Sequence, residues 1–423
     1  MDYRYVTTSK GIGGRIKQLP EDFIVEEIGA NYNTSVKYLP DKKIETIDWK
    51  KVFENKKEGQ DYLILDLEKH NLSTMHAISQ MSRYIRLSKN RFGYAGLKDK
   101  RSISSQRISL FNPSIERLSS FYFKDIKTYN PVWSSKRIDI GDLTENRFVI
   151  TIRQIENLTE EEIKEIILKD FSEIENHGLI NYFGEQRFGG AREITAKVGK
   201  HLILKEYKQA VMLYLTSPSP FEDEALKKAR EDILKTQDFK KWVSTFPSKT
   251  GFEVTMLNHL ANNPDDYLGA FKALSKSMQY LFIHAYQSFL FNKIINLRID
   301  KGYGLKAIEG DKIIDEKLHL QLFGHDSKFL EGKAGEVEKE VFNKEEIDFR
   351  HFFNKEYSVL SCKGDFRPVI TFPKSLELIE IKEDDLNQES MPGALKAKVS
   401  FTLDKGQYAT VLIRELIKLE NIG

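Results

Sequence analysis

Alternation between apolar and polar residues predicts several β-strands in this chain. IKQLPEDFIVEEI (16–28) ends in a short strand pattern, and RFVITIRQI (147–155) alternates over its whole length. YLILDLEKH (62–70) is an apolar run of strand length, and KVSFTL (398–403) repeats the strand pattern near the end of the chain. Strands are therefore predicted in the first 155 residues and again in the tail.

Helical spacing of apolar residues appears between and after these strands. It is present in LSTMHAISQMSRYI (72–85) and is clearest in LTEEEIKEIILKDFSEIENHG (158–178). In the second segment Thr159 and Glu162 form a capping box, and Gly178 ends the apolar stripe. Both segments are predicted to be α-helices.

The pattern of apolar and polar residues changes after NYFGEQRFGG (181–190). Residues 191–385 are mostly helical in pattern, whereas the tail, with its strand and the helix YATVLIRELIKL (408–419), resembles the first part again. A chain of 423 residues also exceeds the roughly 250–300 residues that one core usually serves. The prediction is an α+β protein in which one domain interrupts another. The outer domain would be 1–180 plus 386–423, and the inserted domain 181–385.

Composition is ordinary for a soluble protein, with 40% hydrophobic and 30% charged residues. No apolar run reaches the roughly 18 residues that span a bilayer, and the first residues lack a secretory apolar segment. The single cysteine, Cys362, excludes a framework of intrachain disulfides. These features predict a cytoplasmic protein with no membrane partner.

Several cofactor sites are not supported by any motif. There is no P-loop, and KGIGGRIK (10–17) lacks the spacing and the preceding strand of a dinucleotide site. The nine histidines are scattered, so a zinc site is not expected. No G-x-S-x-G nucleophile elbow is present. The sequence therefore predicts no cofactor and no metal.

Charge is distributed unevenly around GYAGLKDKRSISSQ (93–106). Between Met81 and Leu110 there are eight Lys and Arg residues and one acid, Asp99, whereas the whole chain carries only +2. A local cluster of cations is the electrostatic footprint expected of a nucleic-acid contact.

Several residues close to Asp99 in the sequence favour a catalytic role for its carboxylate. Nearby cations would keep its carboxylate ionised, which favours a nucleophile or an electrostatic stabiliser over a general acid. The small residues Gly93, Ala95 and Gly96 would let a ligand come close. Tyr84, Phe92 and Tyr94 also stand among the cations, and aromatic rings among cations suit stacked bases. The alternative is a surface turn in which Asp99 belongs to a salt-bridge cluster.

A resemblance to a known family adds to this picture. FGYAGLKDKRSISSQRISL (92–110) closely resembles the signature of the TruD family of tRNA pseudouridine synthases, with serines at 104 and 105 where threonines are expected. Further segments resemble the family in the same order along nearly the whole chain. They are GGRIKQLPEDFIVEEI (13–28), ENRFVITI (145–152), NYFGEQRFGG (181–190), HAYQSFLFN (284–292) and FTLDKGQYATVLIRELI (401–417).

The resemblance implies an isomerase that converts uridine in tRNA to pseudouridine, without a cofactor, at position 13 in the D arm. It implies a pseudouridine synthase catalytic domain with a mixed, largely antiparallel sheet, interrupted by an inserted α+β TRUD domain. Asp99 would be the catalytic carboxylate, acting by attack on the sugar or the base or by proton abstraction. These three routes are left open.

The resemblance also implies roles for other residues. Phe148 would stack on the flipped base, with Asn146 beside it, although strand packing alone would explain Phe148. Lys98 and Glu21 would support substrate binding, and Arg414 is one candidate partner of Asp99. Predicted contacts to the RNA backbone are Arg83, Arg86, Lys89, Lys100, Arg101 and Arg107. Tyr182, Gln186, Arg187 and Phe188 are predicted either to shape the domain junction or to contact RNA.

Two other function classes stay open at this point. One is an RNA-binding module of the same fold without catalysis, which an intact Asp99 disfavours. The other is a metal-dependent nuclease, which the lack of further carboxylates at useful spacing disfavours. The oligomeric state is not determined by the sequence, and a monomer is favoured.

Overall fold

The computed structural model describes residues 3–37, 47–219, 222–247 and 251–419, so both predicted domains include residues that lie outside the description. The strands are β1 Phe23–Gly29, β2 Tyr32–Asn33, β3 Tyr62–His70, β4 Phe92–Tyr94, β5 Ile103–Phe111, β6 Ile126–Ser134, β7 Leu143–Ile155, β8 Leu179–Ile180, β9 Lys312–Ile314, β10 Lys317–Leu322, β11 Asp365–Pro368, β12 Ile370–Thr371, β13 Lys374–Glu383 and β14 Leu395–Asp404. The helices are α1 Trp49–Glu54, α2 Thr74–Tyr84, α3 Ile115–Ser119, α4 Glu160–His177, α5 Thr195–Ile203, α6 Tyr207–Thr216, α7 Glu224–Thr236, α8 Phe239–Trp242, α9 Gly251–Asn262, α10 Tyr267–Lys272, α11 Lys276–Asp300, α12 Gly332–Glu345 and α13 Ala409–Ile417.

The chain divides into two compact units, each assembled from separate segments. The sheet unit comprises Val6–Leu179 and Phe372–Gly423. The helical unit comprises Met1–Tyr5 and Ile180–Thr371. The chain thus leaves the sheet unit after Leu179 and returns to it at Phe372.

A nine-stranded sheet forms the centre of the sheet unit. Seven strands follow the order β13-β14-β7-β1-β5-β3-β6, while β2 pairs with β1 and β4 pairs with β5. Only the pairing of β1 with β5 is parallel among these described strands. The predicted mixed, largely antiparallel sheet is confirmed.

Local signals explain where the main helices of this unit begin and end. The Thr159 side chain accepts a hydrogen bond from the Glu162 amide, the Glu162 carboxylate accepts one from the Thr159 amide, and Gly178 caps the other end of α4 with φ 75°. Ser73 caps α2 by accepting from the amide of His76. The predictions for both helices are confirmed to within two residues.

Apolar side chains of alternate strand positions bury α2 against the sheet. Leu63, Leu65 and Leu67 of β3 lie in one buried cluster with Ile78 and Met81 of α2. Successive strand residues point to opposite faces, so Lys69 lies on the same face as these leucines. This places a lysine at the end of an apolar row, close to the start of α2.

The second domain boundary was predicted wrongly. Residues 372–385 were assigned to the inserted domain, but they belong to the sheet unit. The reason is β13, which pairs antiparallel with β14 from Lys374 to Glu383 and so extends the large sheet. The start of the chain also differs, because Tyr3 packs edge-on against Tyr182 in the helical unit with ring centroids 5.1 Å apart.

The helical unit is organised around the long helix α11. Helix α5 lies against it at Gly199, where an added Cβ would stand 2.1 Å from the carbonyl oxygen of Phe282. A glycine is therefore needed for the close approach of the two helices. Within the described residues, no helix has both the length and the apolar composition that crossing a bilayer requires.

Candidate active site

Asp99 lies in the loop between β4 and β5, and this loop is fastened to the start of α2. The Lys98 amide donates to Oγ1 of Thr74 at 2.9 Å. Thr74 in turn donates to Gln106 Oε1 at 2.7 Å, and Nε2 of Gln106 donates to the carbonyl oxygen of Gly96 at 3.0 Å. The loop thus has a defined path immediately before Asp99.

The main chain of Asp99 is held by two side chains. Nζ of Lys69 donates to the Asp99 carbonyl oxygen at 2.6 Å, and the Ser102 hydroxyl donates to the same oxygen at 2.9 Å. Lys69 is fully buried, and burial lowers the pKa of its ammonium to about 8, although the charge of Asp99 acts in the opposite direction. A buried cation therefore positions the backbone of Asp99.

The carboxylate of Asp99 forms an ion pair with a lysine that is distant in sequence. Nζ of Lys17 stands 2.9 Å from Oδ2, and the Asp99 side chain is 23% exposed. The carboxylate is thus both paired and accessible to a ligand. A neighbouring cation favours the ionised form of a carboxyl group.

Lys17 lies in a turn that a buried ion-pair cluster holds in place. Its backbone is left-handed, with φ 59°. Arg153 donates to Asp22 at 2.8 Å and to Asp384 at 2.8 Å, and all three side chains are buried. The cluster joins the turn before β1 to β7 and to the connection between β13 and β14, which fixes the approach of Lys17 to Asp99.

Lys98 has a buried partner of its own. Its Nζ stands 2.6 Å from Oε2 of Glu27, with 5% of the Lys98 side chain and none of the Glu27 side chain exposed. Glu27 also accepts from the Tyr32 hydroxyl and from the Arg107 amide, at 2.8 and 3.1 Å. This burial indicates that Lys98 holds the loop, which differs from the predicted contact with substrate.

An aromatic cluster lies beside Lys17. Phe148 is 8% exposed and packs between Phe23 and Phe401, with centroids 6.0 and 5.6 Å away. Lys17 Nζ lies 4.1 Å from the centroid of Phe23, so the cluster reaches the ion pair of Asp99. Asn146 lies two residues before Phe148 and therefore on the same face of β7. Its Oδ1 is buried and accepts no hydrogen bond from the described residues.

The other predicted substrate residue, Glu21, lies at the edge of this region. It is exposed and belongs to the 3-10 turn Pro20–Asp22 that precedes β1. The turn begins three residues after Lys17. Glu21 is thus close in sequence to the ion pair, but it is not part of the hydrogen-bonded network around Asp99.

The cations predicted to bind RNA lie at several places in the sheet unit. Lys100 and Arg101 are exposed beside Asp99, and Arg101 donates to the Gln18 carbonyl oxygen at 2.9 Å. Arg83 is exposed near the far end of α2, roughly 13.5 Å along the helix from Thr74. The exposed residues Arg86 and Lys89 follow that end of the helix.

Arg107 differs from the other five cations. It forms an ion pair with Asp66 at 3.1 Å and lies over the ring of Tyr32 at 4.3 Å. Because it follows Gln106 directly in β5, its side chain points to the opposite face of the sheet from the network of Gln106 and Thr74. The predicted contact of Arg107 with RNA therefore has no support from its position.

The remaining predicted residues lie on α13 and in the helical unit. Arg414 is buried on α13 and donates to the Leu419 carbonyl oxygen at 3.1 Å. Tyr182 and Phe188 are buried in the helical unit, while Arg187 lies over the ring of Phe183 at 5.6 Å.

Three charged residues of this network were not predicted from the sequence. They are Lys17, Glu27 and Lys69. Lys69 had a detectable signal, because strand alternation places it on the face of Leu63, Leu65 and Leu67, where a lysine is unusual. Lys17 and Glu27 lie inside a quoted family-like segment, but nothing in their spacing indicated their partners. Among the described residues, no group of three or more His, Cys, Asp and Glu side chains is placed to hold a metal ion.

The chain matches a known protein family over most of its length. Residues 2–321 and 315–416 match the model of the family described as tRNA pseudouridine synthase D (TruD). This chain belongs to the TruD family. The predicted resemblance is thereby confirmed, and the family isomerises uridine to pseudouridine.

Individual TruD relatives show the same extent of similarity. A protein of Methanosarcina acetivorans named "Probable tRNA pseudouridine synthase D" is 34% identical, over 98% of this chain and 95% of its own length. One from Methanocaldococcus jannaschii, "Probable tRNA pseudouridine synthase D 1", is 34% identical over 96% of both chains. A crystal structure of a TruD protein from Methanosarcina mazei superimposes with a TM-score of 0.72 at 33% identity, covering 99% of this chain and 96% of that one.

Proposed function

We propose that this TruD protein isomerises uridine in tRNA to pseudouridine with Asp99 as its catalytic carboxylate. The observation that carries the proposal is the setting of Asp99. Its main chain is clamped by Lys69, and its carboxylate is paired with Lys17 but stays accessible. No other described carboxylate lies in the family signature of residues 92–110.

The reaction needs an ionised carboxylate and space for a base outside its stack. The bond from C1′ to N1 breaks and a bond from C1′ to C5 forms; C5 loses a proton and N1 gains one. A carboxylate in an ion pair with Lys17 suits attack or proton abstraction rather than proton donation. Phe148 and Asn146 lie on one face of β7, and Phe148 packs on Phe23, over which Lys17 lies; there they would contact the flipped uracil.

Position 13 in the D arm is the proposed target, in keeping with the family resemblance. Because the proposed substrate is tRNA, the proposal also includes a cytoplasmic location for the protein. Replacing U13 by C in the substrate tRNA should abolish the pseudouridine signal if this target is correct. A signal that persists at another uridine would retain the activity but reject the target.

Asp99→Asn tests the catalytic assignment. The change removes a nucleophilic or basic oxygen at nearly constant shape, so turnover should be lost while tRNA affinity is retained. The matched control is Asp232→Asn, because Asp232 also pairs with a lysine, Lys241, at 2.9 Å, but lies in the helical unit.

The assay is a single-turnover reaction on unmodified tRNA in EDTA, with pseudouridine mapped by carbodiimide labelling. Wild type and Asp232→Asn should form pseudouridine at similar rates. An Asp99→Asn rate within tenfold of wild type would remove Asp99 from the chemistry. If wild type binds tRNA and forms no pseudouridine, the chain is an RNA-binding module of this fold.

A further inference from the structure

The helical unit contains a hollow that the catalytic proposal does not use. It has a volume of about 300 Å³ and lies between α5, α11, α12 and the 3-10 turn Glu185–Phe188. This volume is at the lower end of the range of about 300–1,000 Å³ found for small-ligand sites. Its aromatic and charged lining residues are Phe188, Glu193, Lys197, Lys200, Tyr286, Phe289 and Glu345.

One wall of the hollow is aromatic. The rings of Tyr286 and Phe289 are nearly parallel, with an interplanar angle of 15° and centroids 6.0 Å apart. Tyr286 and Phe188 are buried, whereas Phe289 is only half-buried. Phe289 is therefore the ring of this wall that a ligand can reach most easily.

A carboxylate with one open oxygen stands opposite this wall. Lys200 and the Tyr286 hydroxyl both donate to Oε2 of Glu345, at 3.0 and 3.3 Å. The other oxygen, Oε1, accepts no hydrogen bond from any side chain or amide in the described residues. An ionised carboxylate accepts hydrogen bonds only, so the site suits a ligand with an N–H donor.

Two lysines at or beside the hollow have no acidic partner among the described residues, whereas Lys200 pairs with Glu345 and the exposed Glu193 also lines the hollow. Lys197 is exposed at its rim. A second hollow of about 250 Å³ shares Phe289 and Glu345 with the first and is bordered by Lys293, whose Nζ lies 5.2 Å from the Phe289 centroid. Neither Lys197 nor Lys293 forms an ion pair with the described residues, so both are available to phosphates.

We propose that this hollow binds an unpaired nucleotide of the RNA substrate. Its base stacks on Phe289 and donates from an exocyclic amino group to Glu345, and its flanking phosphates lie against Lys197 and Lys293. Aromatic faces among cations are the usual arrangement for unpaired nucleotides. The inference rests on the proposed function for the presence of RNA, and it assigns the helical unit a binding role separate from Asp99.

Equilibrium binding of labelled tRNA tests this site without depending on catalysis. Phe289→Leu should weaken tRNA binding by about tenfold, because a stacked base is lost. The matched control is Phe353→Leu, since Phe353 is 52% exposed and does not line the hollow. Its dissociation constant should equal that of wild type. In turnover, Phe289→Leu should raise KM and leave kcat unchanged.

A second comparison identifies the base. Tetranucleotides of G, A or C carry amino groups and should lose affinity in Glu345→Gln, whereas the uridine tetranucleotide should not. Equal losses for all four would reject the contact with an amino group.

Two results would overturn the site itself. The first is that Phe289→Leu, shown to be folded by a urea midpoint like that of wild type, binds tRNA as tightly as wild type. The second is that Lys197→Ala leaves the salt dependence of tRNA binding unchanged. Lys197→Ala decides the question if Phe289→Leu fails to fold. If Asp99→Asn stays active while Phe289→Leu still weakens binding, the catalytic assignment fails and this site stands.

Discussion

Replacing Lys69 by methionine should separate stability from activity in the sheet unit. Lys69 is fully buried, and its one described hydrogen bond goes to the carbonyl oxygen of Asp99 rather than to a carboxylate. Burial lowers the pKa of this lysine from 10.5 to about 8, with a further contribution from the charge of Lys98. Keeping the charged form of Lys69 in the interior therefore lowers the free energy of unfolding.

The size of this cost follows from the pKa. The difference between 10.5 and about 8 corresponds to about 3 kcal/mol against the charged form in the folded state at pH 7. A hydrogen bond from a charged donor contributes about 1.5–3 kcal/mol in the other direction. Methionine has a similar length and no charge, so Lys69→Met should change the free energy of unfolding at pH 7 by no more than about 1–2 kcal/mol.

The pH dependence has a definite sign. Because the folded pKa lies below the unfolded one, the unfolded chain binds more protons between pH 8 and 10.5, and stability rises with pH in that window. The stability of wild type relative to Lys69→Met should therefore increase by about 2 kcal/mol between pH 7 and 9.5. Other lysines and tyrosines titrate in both proteins and cancel in the difference.

Activity should respond differently. Without its clamp the Asp99 main chain can move, and a displacement of 1 Å in a catalytic group costs about 10²-fold in rate. The assay is single-turnover pseudouridine formation, beside urea unfolding at pH 7 and 9.5. Lys418→Met is the control, since Lys418 is largely but not fully buried, with 11% of its side chain exposed, and donates to the Thr7 carbonyl oxygen at 3.0 Å, although it also pairs with Glu415 at 3.3 Å. A wild-type rate in Lys69→Met, or a stability difference that is flat with pH, would refute the reasoning.

Two further predictions concern the aromatic cluster and the cations. Phe148→Tyr should keep more activity than Phe148→Leu, because only tyrosine preserves an aromatic face; single-turnover rates and urea midpoints that give the reverse order would make Phe148 a packing residue. Lys100→Ala should flatten the log–log salt dependence of tRNA binding by about one unit, whereas Arg107→Ala should leave the slope unchanged and lower stability by removing the partner of Asp66. Equal slopes for Lys100→Ala and wild type would show that the loop of Asp99 does not meet phosphate.

Local structure in this protein could be predicted largely from sequence. β3 runs from Tyr62 to His70, as its apolar run indicates, and α4 begins and ends at its capping box and glycine. Such elements depend on residues within a few positions of one another. The strand β13 was not predicted, because its pairing with β14 is a tertiary contact that a local sequence pattern does not show.

The partners of Asp99 could not be found in this way. Eight cations stand within the same 30-residue stretch of sequence, but the described ion pair of Asp99 is formed by Lys17, 82 positions earlier. The parallel pairing of β1 with β5 brings the turn of Lys17 beside the loop of Asp99.

The sequence by itself determined the family, strands and helices with strong local signals such as β3 and α4, and the candidate catalytic residue. Only the tertiary structure decided which cations surround that residue, because strand alternation sends Arg107 to the far face while strand pairing brings in Lys17 and Lys69 from elsewhere. Charge density along a chain is a local property, but the electrostatic field at a carboxylate depends on distances in space, and the pairing of distant strands sets those distances.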